Sequence, residues 1–212
     1  MSRLYQRHGK RAVDCCVSFL ALVLVSPLLI IISIVVRARL GSPVLFRQPR
    51  PGLNERTFIM LKFRSMTDTR NRNGELLPNA LRVTRVGRIL RATSLDELPE
   101  FWNVLRGDMS LVGPRPLLCE YLPYYSAEQR RRHSLRPGMT GLAQVSGRNH
   151  NTWEQRLAQD VFYVDNCTLW LDCKIIVRTL ILGSGVNPPI AAPEGACGVS
   201  LWAPSEGRQY GT

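Results

Sequence analysis

The dominant hydrophobic pattern in the sequence is an uncharged apolar run over residues 15–36, CCVSFLALVLVSPLLIIISIVV. Its length is about what a helix needs to cross the hydrocarbon core of a bilayer. A cleavable signal peptide is not indicated, because the run exceeds a typical signal core and is followed by Arg37 and Arg39 instead of small residues. The pattern therefore predicts a membrane-associated helix near the N-terminus.

Both flanks of this run are basic. The flanking residues are Arg3, Arg7, Lys10 and Arg11 before it and Arg37, Arg39, Arg47 and Arg50 after it. Basic flanks prefer the cytoplasmic side, so both are satisfied only if the chain enters and leaves by the same face. Ser26 and Pro27 lie at the middle of the run, and proline kinks a helix. These features favour a re-entrant helix–break–helix, with a kinked spanning helix as the alternative.

Two short apolar runs, at residues 44–46 and 57–63, are separated by a segment rich in Pro, Gly and Asn. Such a segment supplies turn chemistry, so the sequence predicts a β-hairpin here. Apolar residues then recur at helical spacing in several places. The helices predicted from this spacing cover residues 83–90, 96–105, 117–135, 153–163 and 168–182. The expected fold class is therefore α+β and mainly helical.

The last of these predicted helices is amphipathic, with Leu171, Ile175 and Leu180 on one side. A helix of this kind packs on a core or lies on a membrane surface, and core packing is the simpler interpretation. The polar residues 67–80 are interpreted as a surface loop. Residues 186–212 are rich in Gly, Pro and Ala and lack periodicity, which predicts a flexible tail.

The composition narrows the classes of partner. Lys and Arg number 28 against 16 Asp and Glu, a net charge of +12, which points to nucleic acid, anionic lipid or a phosphorylated substrate. The six cysteines form no C-x-x-C pair and the three histidines are scattered, so neither a zinc site nor a disulfide framework is indicated. Free thiols in a reducing compartment are expected.

Asp96 and Glu97 stand side by side in the segment TSLDELPE at 93–100, which concentrates acid at a predicted helix start. The simpler interpretation is structural, because Ser94-x-x-Glu97 fits a capping box and acids in a first turn offset the helix macrodipole. The second interpretation is chemical. A carboxylate among arginines acts as a nucleophile towards phosphorus, or as a ligand for Mg²⁺ bound to a diphosphate.

Several arginines near these acids in sequence lie in Gly/Pro loops, where a rigid backbone suits bidentate recognition of phosphate by guanidinium. The arginines are Arg91, Arg106, Arg115, Arg136 and Arg148. For each of them, a solvated side chain is the alternative. The cluster Arg130–Arg132 is most simply a solvated face or a contact with anionic lipid. The chain has no Walker loop and no G-x-S-x-G, H-E-x-x-H or G-x-G-x-x-G motif, which removes the commonest nucleotide-binding and hydrolase explanations.

Several separate stretches together resemble the small monotopic phosphoglycosyl transferases of the bacterial sugar transferase family. They are SP at 26–27, RPGLNE at 50–55, KFRSM at 62–66, SLDELPEFWNVLRGDMSLVGPRP at 94–116 and RPGMTGLAQVSGRN at 136–149. The resemblance runs from about residue 8 to about residue 185, and LDELP followed by GDMSLVGPRP is its most specific part. Two more stretches, NGELLP at 74–79 and PLLCEYLPYY at 116–125, resemble the bacillosamine-type branch, which starts glycan assembly for protein glycosylation.

The resemblance implies an architecture and a location. Residues 1–40 would form a re-entrant membrane helix broken at Ser26 and Pro27. Residues 41–185 would form a cytoplasmic catalytic domain with a β-hairpin and amphipathic interfacial helices, followed by the flexible tail at 186–212. The enzyme would lie on the cytoplasmic face of the bacterial inner membrane.

The resemblance also implies a reaction in two steps. Asp96 would attack the β-phosphate of a UDP-sugar, UMP would leave, and undecaprenyl phosphate would then take the phosphosugar from the enzyme. Glu97 would assist through metal coordination or proton handling, with Mg²⁺ held by Asp96 and Glu97 as the cofactor. The positions that match phosphate- and nucleotide-binding residues are Arg91, Arg115 and Arg148, with Lys62 and Arg64 as further candidates.

The donor sugar stays open at this point. An N-acetylated sugar such as diacetylated bacillosamine is favoured by the subfamily resemblance, and galactose and glucose are the alternatives. Ser146, where relatives often have Asn, departs from the family pattern and bears on sugar choice. Two rival functions are a membrane-bound hydrolase of nucleotide diphosphates and a non-catalytic tethered protein whose basic face holds lipid or nucleic acid. Under the transferase interpretation nucleic acid is not a partner.

Overall fold

The computed structural model describes residues 5–146 and 151–182 of the chain. A π-helical turn (Tyr5–Gly9) leads into a long helix, α1 (Lys10–Leu40), which precedes a domain of short helices and two-stranded sheets. The expected class, mainly helical α+β, is confirmed. The predicted tail at 186–212 and the candidate residue Arg148 lie outside the described residues.

Helix α1 extends beyond the predicted apolar run at both ends and is long and apolar enough to cross a membrane. It continues through Ser26 and Pro27, so the break predicted there is not observed. Pro27 has no N–H to donate to the Val23 carbonyl four residues earlier, and the Ser26 hydroxyl donates to that carbonyl instead, at 2.8 Å. This substitution of one donor for another explains why the helix is not interrupted. It ends at Gly41, which has a positive φ of 81°.

The N-terminal end of α1 is polar and buried against the domain. Lys10 Nζ lies 2.5 Å from the Asp172 carboxylate, and Asp14 accepts a hydrogen bond from the Leu111 backbone N–H at 3.0 Å. Arg11 donates to two further backbone carbonyls of the domain, at 2.5 and 2.7 Å. Buried charges of this kind are stable only when they are paired, so these contacts attach the start of the helix to the domain.

The C-terminal part of α1 packs on the same domain. Ile32, Val36 and Leu40 are buried in a cluster with Phe63 and Leu90. Between the two contact regions the helix is apolar and faces outward. The side chains there that are more than half exposed are Phe19, Leu20, Val23, Leu24, Ile30 and Ile31. Both ends of the helix therefore rest on one domain, and its middle presents an apolar surface.

The predicted hairpin is confirmed. Strands β1 (Leu45–Pro51) and β2 (Thr57–Phe63) pair antiparallel over their whole length. Their connection contains a 3-10 turn (Leu53–Glu55), in which Asn54 and Glu55 have positive φ angles of 52° and 63°. The hairpin fixes the position of Lys62, a candidate site residue, near the end of β2.

Two short helices follow the polar segment 67–80, namely α2 (Asn79–Arg82) and α3 (Arg85–Ala92). Helix α3 begins with a cap in which Thr84 Oγ1 accepts from the Gly87 backbone N–H at 3.0 Å. Gly87 lies directly on the backbone after β2, since a Cβ there would be 1.8 Å from the carbonyl oxygen of Ser65. Glycine is therefore what allows α3 to approach the hairpin so closely.

Replacing Gly87 by Ala is expected to destabilise the protein by about 1–3 kcal/mol, because the added methyl group overlaps the Ser65 backbone. At an unrestrained helical position the same change stabilises by about 1 kcal/mol, so the sign of the effect is the test. Denaturant unfolding of the purified protein in detergent measures it. An unchanged or higher midpoint for Gly87→Ala would contradict the packing described.

The helix predicted over residues 96–105 begins later than expected. A 3-10 turn (Leu95–Glu97) comes first, and helix α4 (Glu100–Arg106) follows Pro99. Gly107 ends α4 in the left-handed conformation, with φ of 92°. The two acids of interest therefore lie before the helix and not in its first turn.

Strand β3 (Ser110–Val112) pairs in parallel with β4 (Gly138–Thr140). The pairing joins the two Gly/Pro loops at 113–116 and 136–138, a contact that sequence patterns did not predict. A Cβ at Gly138 would lie 2.0 Å from the backbone nitrogen of Gly113, so close approach of the two chains requires glycine.

The single helix predicted over residues 117–135 is wrong. The region contains a 3-10 segment (Cys119–Tyr124), helix α5 (Ala127–Arg130) and a second 3-10 segment (Arg131–Ser134). Pro123 disfavours regular α-helix in the first piece, and Ser126 starts α5 with a capping box. Local backbone chemistry thus overrides the helical spacing of apolar residues.

Helices α6 (Leu142–Val145), α7 (Trp153–Asn166) and α8 (Leu169–Leu182) complete the described chain, and the last two confirm predicted helices. Helix α8 buries Ile175 and Asp172 against the domain. The prediction that Leu180 lies on the same side as Ile175 is wrong, because Leu180 is exposed. The exposed surface carries the apolar residues Leu169, Trp170, Val177, Leu180 and Ile181, together with the charged Lys174 and Arg178. The helix therefore packs on the core through one face only.

Candidate active site

The interpretation of Ser94 as a helix cap is wrong. Its backbone is left-handed, with φ of 54° and ψ of 19°, and its side chain makes no cap hydrogen bond. Asp96 and Glu97 belong to the 3-10 turn between α3 and α4, ahead of the helix they were expected to cap. Helix capping therefore does not explain why these two acids stand here.

Asp96 is only 8% exposed. In the described parts of the chain, no side chain hydrogen-bonds with its carboxylate or forms an ion pair with it. Burial raises the pKa of Asp96, while the positive charges of Lys62 and Arg91 partly oppose that rise. A buried carboxylate without a side-chain partner is costly for folding, which is typical of a group kept for chemistry.

Glu97, the neighbouring acid, has the opposite environment. One of its oxygens lies 2.6 Å from Lys62 Nζ and 2.9 Å from Arg115 Nη2. Burial by itself would raise the pKa of Glu97, but the charges of Arg115 and Lys62 outweigh it and lower the pKa. Two adjacent acids whose environments separate their pKa values in this way are suited to different roles.

Glu100 is a third acid at this place, and its role was not predicted from the sequence. It is 3% exposed and lies 3.2 Å from Lys62 Nζ. Burial raises the pKa of Glu100, with the nearby Glu97 charge adding to the rise and Lys62 opposing it. Its position three residues after Glu97, on the same side of the chain, was the available signal.

Arg91 and Arg115 reach the acids from two directions. Arg91, at the end of α3, donates from Nε to the Ser65 hydroxyl at 2.9 Å, and its charge lowers the pKa of Asp96. Arg115 comes from the GPRP loop after β3 and pairs with Glu97. The structure therefore brings together five of the predicted site residues, namely Asp96, Glu97, Arg91, Lys62 and Arg115.

The expectation for Arg130–Arg132 is wrong at Arg132, which is 2% exposed. Its guanidinium pairs with Asp160 at 2.6 Å and donates to the carbonyl oxygen of Arg115 at 2.7 Å. Arg132 thus fixes the backbone that carries a site residue. Arg130 and Arg131 are exposed but form ion pairs within the domain.

The remaining predicted cations do not join this cluster in the described structure. Arg64 uses its guanidinium nitrogens on the carbonyls of Ser42 and Met66 and on Asp68. Arg136 donates to the Gly107 carbonyl at 2.7 Å. These contacts are structural, and the phosphate-binding role of Arg64 stays a prediction.

Arg50, on β1, is a cation that the sequence placed in the membrane flank and in the RPGLNE stretch, without a predicted role in the site. Its Nη2 donates to Gln48 at 2.7 Å, while its Nε is buried without a hydrogen-bond partner. Burial and the charge of Arg115 lower the pKa of Arg50 to about 10. A half-buried guanidinium that has a buried, unused donor and is repelled by a second guanidinium is suited to binding an anion.

A metal ion fits this site only together with a phosphorylated ligand. Among residues 5–146 and 151–182, no group of three or more His, Cys, Asp or Glu is arranged to hold a metal. Mg²⁺ usually takes one or two carboxylates and completes its shell with water and substrate phosphates. Asp96, which has no side-chain partner in the described parts of the chain, could supply one of these carboxylates. Glu97 could supply the second while it also pairs with Lys62.

Comparison with known proteins identifies the family. The bacterial sugar transferase family matches residues 5–183. Over 181 residues the chain is 48% identical to the uncharacterized sugar transferase EpsL of Bacillus subtilis (strain 168), covering 84% of this chain and 90% of that protein. It is 45% identical to a UDP-glucose:undecaprenyl-phosphate glucose-1-phosphate transferase of Caulobacter vibrioides (strain ATCC 19089 / CIP 103742 / CB 15), with 81% of this chain and 68% of that one covered. A protein of the same name from Klebsiella pneumoniae is 42% identical, with 82% of this chain but only 40% of that protein covered. The chain therefore belongs to the bacterial sugar transferase family and is a transferase enzyme.

Proposed function

We propose that this enzyme transfers a sugar 1-phosphate from a UDP-sugar to undecaprenyl phosphate and releases UMP, through a covalent phosphosugar intermediate on Asp96. The observation that carries the proposal is the state of Asp96. It is a buried carboxylate without a side-chain partner in the described parts of the chain, and three cations approach the same turn. A membrane lipid phosphate as acceptor agrees with the names of the relatives from Caulobacter and Klebsiella.

In the first step a carboxylate oxygen of Asp96 attacks the β-phosphorus of the UDP-sugar. The bond from that phosphorus to the bridging oxygen breaks, and UMP leaves with the electron pair. In this proposal Arg115, which pairs with Glu97 beside Asp96, and Arg50, whose pKa is lowered by burial and by the charge of Arg115, bind the phosphate oxygens, which carry the growing charge. In the second step an oxygen of the lipid phosphate attacks the same phosphorus, and the Asp96 carboxylate is released unchanged.

Glu97 orients the cations in this scheme. Its ion pairs hold Lys62 and Arg115 in fixed positions beside Asp96, so that they need not reorganise during the reaction. Mg²⁺, held by Asp96 and Glu97 together with substrate phosphates, would neutralise the charge of the diphosphate when bound. The protein side chains supply the rest of the phosphate recognition.

The contacts of α1 support a proposal for the arrangement at the membrane. Both of its ends contact the catalytic domain, and its apolar middle is exposed. We infer that α1, although continuous as a helix, bends at Pro27 so that it enters and leaves the bilayer by the same face, the cytoplasmic face of the bacterial inner membrane, and that the exposed apolar side of α8 lies on that surface. An enzyme at the interface meets a soluble donor and a lipid acceptor without extracting the lipid.

The proposed donor carries an N-acetylated sugar such as diacetylated bacillosamine, on the strength of the NGELLP and PLLCEYLPYY stretches. Glucose is the alternative suggested by two of the relatives, and galactose is a further one. Ser146, in the described structure, ends the short α6 helix and is the position where this chain departs from the family pattern.

A screen of UMP release tests the function. The purified full chain in detergent is offered a panel of UDP-sugars with Mg²⁺, with and without undecaprenyl phosphate. The proposal predicts sustained UMP release that requires the lipid phosphate, with one N-acetylated donor preferred. Equal turnover without the lipid would identify a hydrolase, and no turnover with any donor would favour a binding protein.

The pH dependence of the first step gives a second test. Attack requires the ionised form of Asp96, and Lys62 lowers the pKa of that group, so loss of the lysine charge raises the pKa. In Lys62→Gln the acid limb of the pH profile of kcat/KM is therefore expected to move to higher pH. The exposed Lys174 on α8 supplies the control Lys174→Gln. A limb that stays in place or moves to lower pH in Lys62→Gln would contradict this account of Asp96.

A further inference from the structure

An apolar groove lies between the C-terminal half of α1 and the helix α3. Its volume is about 180 Å³. The residues that line it are all aliphatic and are Ile31, Ile32, Val35, Val86, Ile89 and Leu90. Ile31 and Ile89, one on each wall, are 58% and 61% exposed. The groove is therefore open to the surroundings of the helix that we place in the membrane.

The floor of the groove is directly connected to the acids. Ile32 and Leu90 are buried there and belong to one cluster with Leu95 as a packed neighbour. Leu95 immediately precedes Asp96 in the 3-10 turn. Leu95 thus links the cluster beneath the groove to the proposed nucleophile, which is the next residue in the chain.

A positive charge follows the groove lining directly in the chain. Arg91 follows Leu90 in α3, donates to Ser65, and acts on Asp96 through its charge. An aliphatic groove whose lining residue Leu90 is followed in the chain by a cation, and whose cluster includes the residue before the proposed nucleophile, matches a ligand with an apolar chain attached directly to an anionic phosphate. A glycerophospholipid fits less well, because its glycerol and ester groups separate the phosphate from the acyl chain.

We propose that this groove holds the isoprene unit nearest the phosphate of the polyprenyl phosphate acceptor, with that phosphate directed towards Arg91. The inference rests on the proposed function and adds to it the place where the acceptor binds. An apolar cavity of about 150 Å³ accommodates a benzene molecule, so a groove of about 180 Å³ accommodates about one five-carbon isoprene unit. The rest of the polyprenyl chain would continue along the exposed apolar surface of α1 into the bilayer.

A matched pair of substitutions tests the groove. Ile31 lines it, while the adjacent Ile30 does not, and the two side chains are similarly exposed at 58% and 61%. Ile31→Trp places an indole in the groove, and Ile30→Trp makes the same change on the outer side of the helix. Ile89→Trp blocks the groove from the opposite wall. For each protein in detergent, KM is measured for undecaprenyl phosphate and, separately, for the UDP-sugar.

The proposal predicts that Ile31→Trp and Ile89→Trp raise KM for undecaprenyl phosphate by at least about tenfold, since several buried methylene contacts are lost. KM for the UDP-sugar should stay within about twofold, which also shows that the domain is folded. Ile30→Trp should match the unsubstituted protein. If all three variants keep the original KM for the lipid, the groove belongs to bulk membrane lipid and the proposal is overturned. If the unsubstituted protein shows no lipid-dependent turnover, the proposed function itself fails, so the two failures are distinguishable.

Discussion

Replacing Asp96 by Asn is expected to lower the rate of lipid-dependent UMP release by about 10⁴-fold or more. The amide has almost the same shape as the carboxylate but cannot form the bond to phosphorus, and loss of a nucleophile typically costs this much. The rate with undecaprenyl phosphate and the preferred UDP-sugar measures the effect. Asp165→Asn, at an exposed position on α7 that pairs with Arg131, is the control and should leave the rate nearly unchanged.

The same substitution should not destabilise the fold. Burial raises the pKa of Asp96, so the ionised group costs stability at neutral pH, and a neutral amide removes that cost. Thermal unfolding of Asp96→Asn is therefore expected at the same temperature as the unsubstituted protein or a higher one. Residual activity above about one per cent of the original rate would contradict the assignment of the nucleophile.

Replacing Glu97 by Gln is expected to lower the transfer rate by about 10²-fold or more. The charge that holds Lys62 and Arg115 is lost, and the preorganised cations beside Asp96 are released. The kinetics of UMP release measure this effect, at saturating concentrations of donor and acceptor.

Glu100→Gln supplies the matched control for that experiment. Burial already raises the pKa of Glu100 towards the neutral form, so a neutral amide changes the local charge much less there. We expect a loss of about tenfold or less. Equal or reversed losses in the two variants would show that Glu97 is not the residue that organises these cations.

Part of this site could be predicted from the sequence, and there are physical reasons why its other features could not. Asp96, Glu97, Arg91, Arg115 and Lys62 were predicted, because the motifs that carry them are unusual in combination. The structure then gave the two acids different surroundings, which adjacent residues in a sequence do not reveal. Local patterns even favoured a capping role, and the left-handed backbone of Ser94 excludes it.

The residues that were missed depend on contacts between distant parts of the chain. Arg132 looked like part of a solvated basic cluster, yet it is buried on Asp160 and holds the carbonyl of Arg115. Arg50 was assigned to a membrane flank and to the RPGLNE stretch, yet on β1 burial and the charge of Arg115 act on it and lower its pKa. Local sequence patterns do not predict either interaction, since the residues involved are far apart in the chain and meet only in the folded protein.

The N-terminal helix was also predicted only in part from the sequence. The apolar run predicted a membrane helix, and the basic flanks favoured entry and exit by one face. The burial of Lys10 on Asp172 was not predicted, because the two residues lie far apart in the chain. The predicted break at Pro27 was not observed, because Ser26 supplies the hydrogen bond to Val23 that proline cannot make.

The most direct test of the central claim is the mass of the enzyme after it has met the donor alone. Full-length protein is incubated with the preferred UDP-sugar and Mg²⁺ in the absence of lipid phosphate, then analysed intact and as peptides. We expect an added mass of one phosphosugar on the peptide that contains Asp96, and its loss to a lipid product when undecaprenyl phosphate is supplied. Turnover without such an adduct, or an adduct on another residue that is transferred to lipid, would contradict Asp96 as the nucleophile.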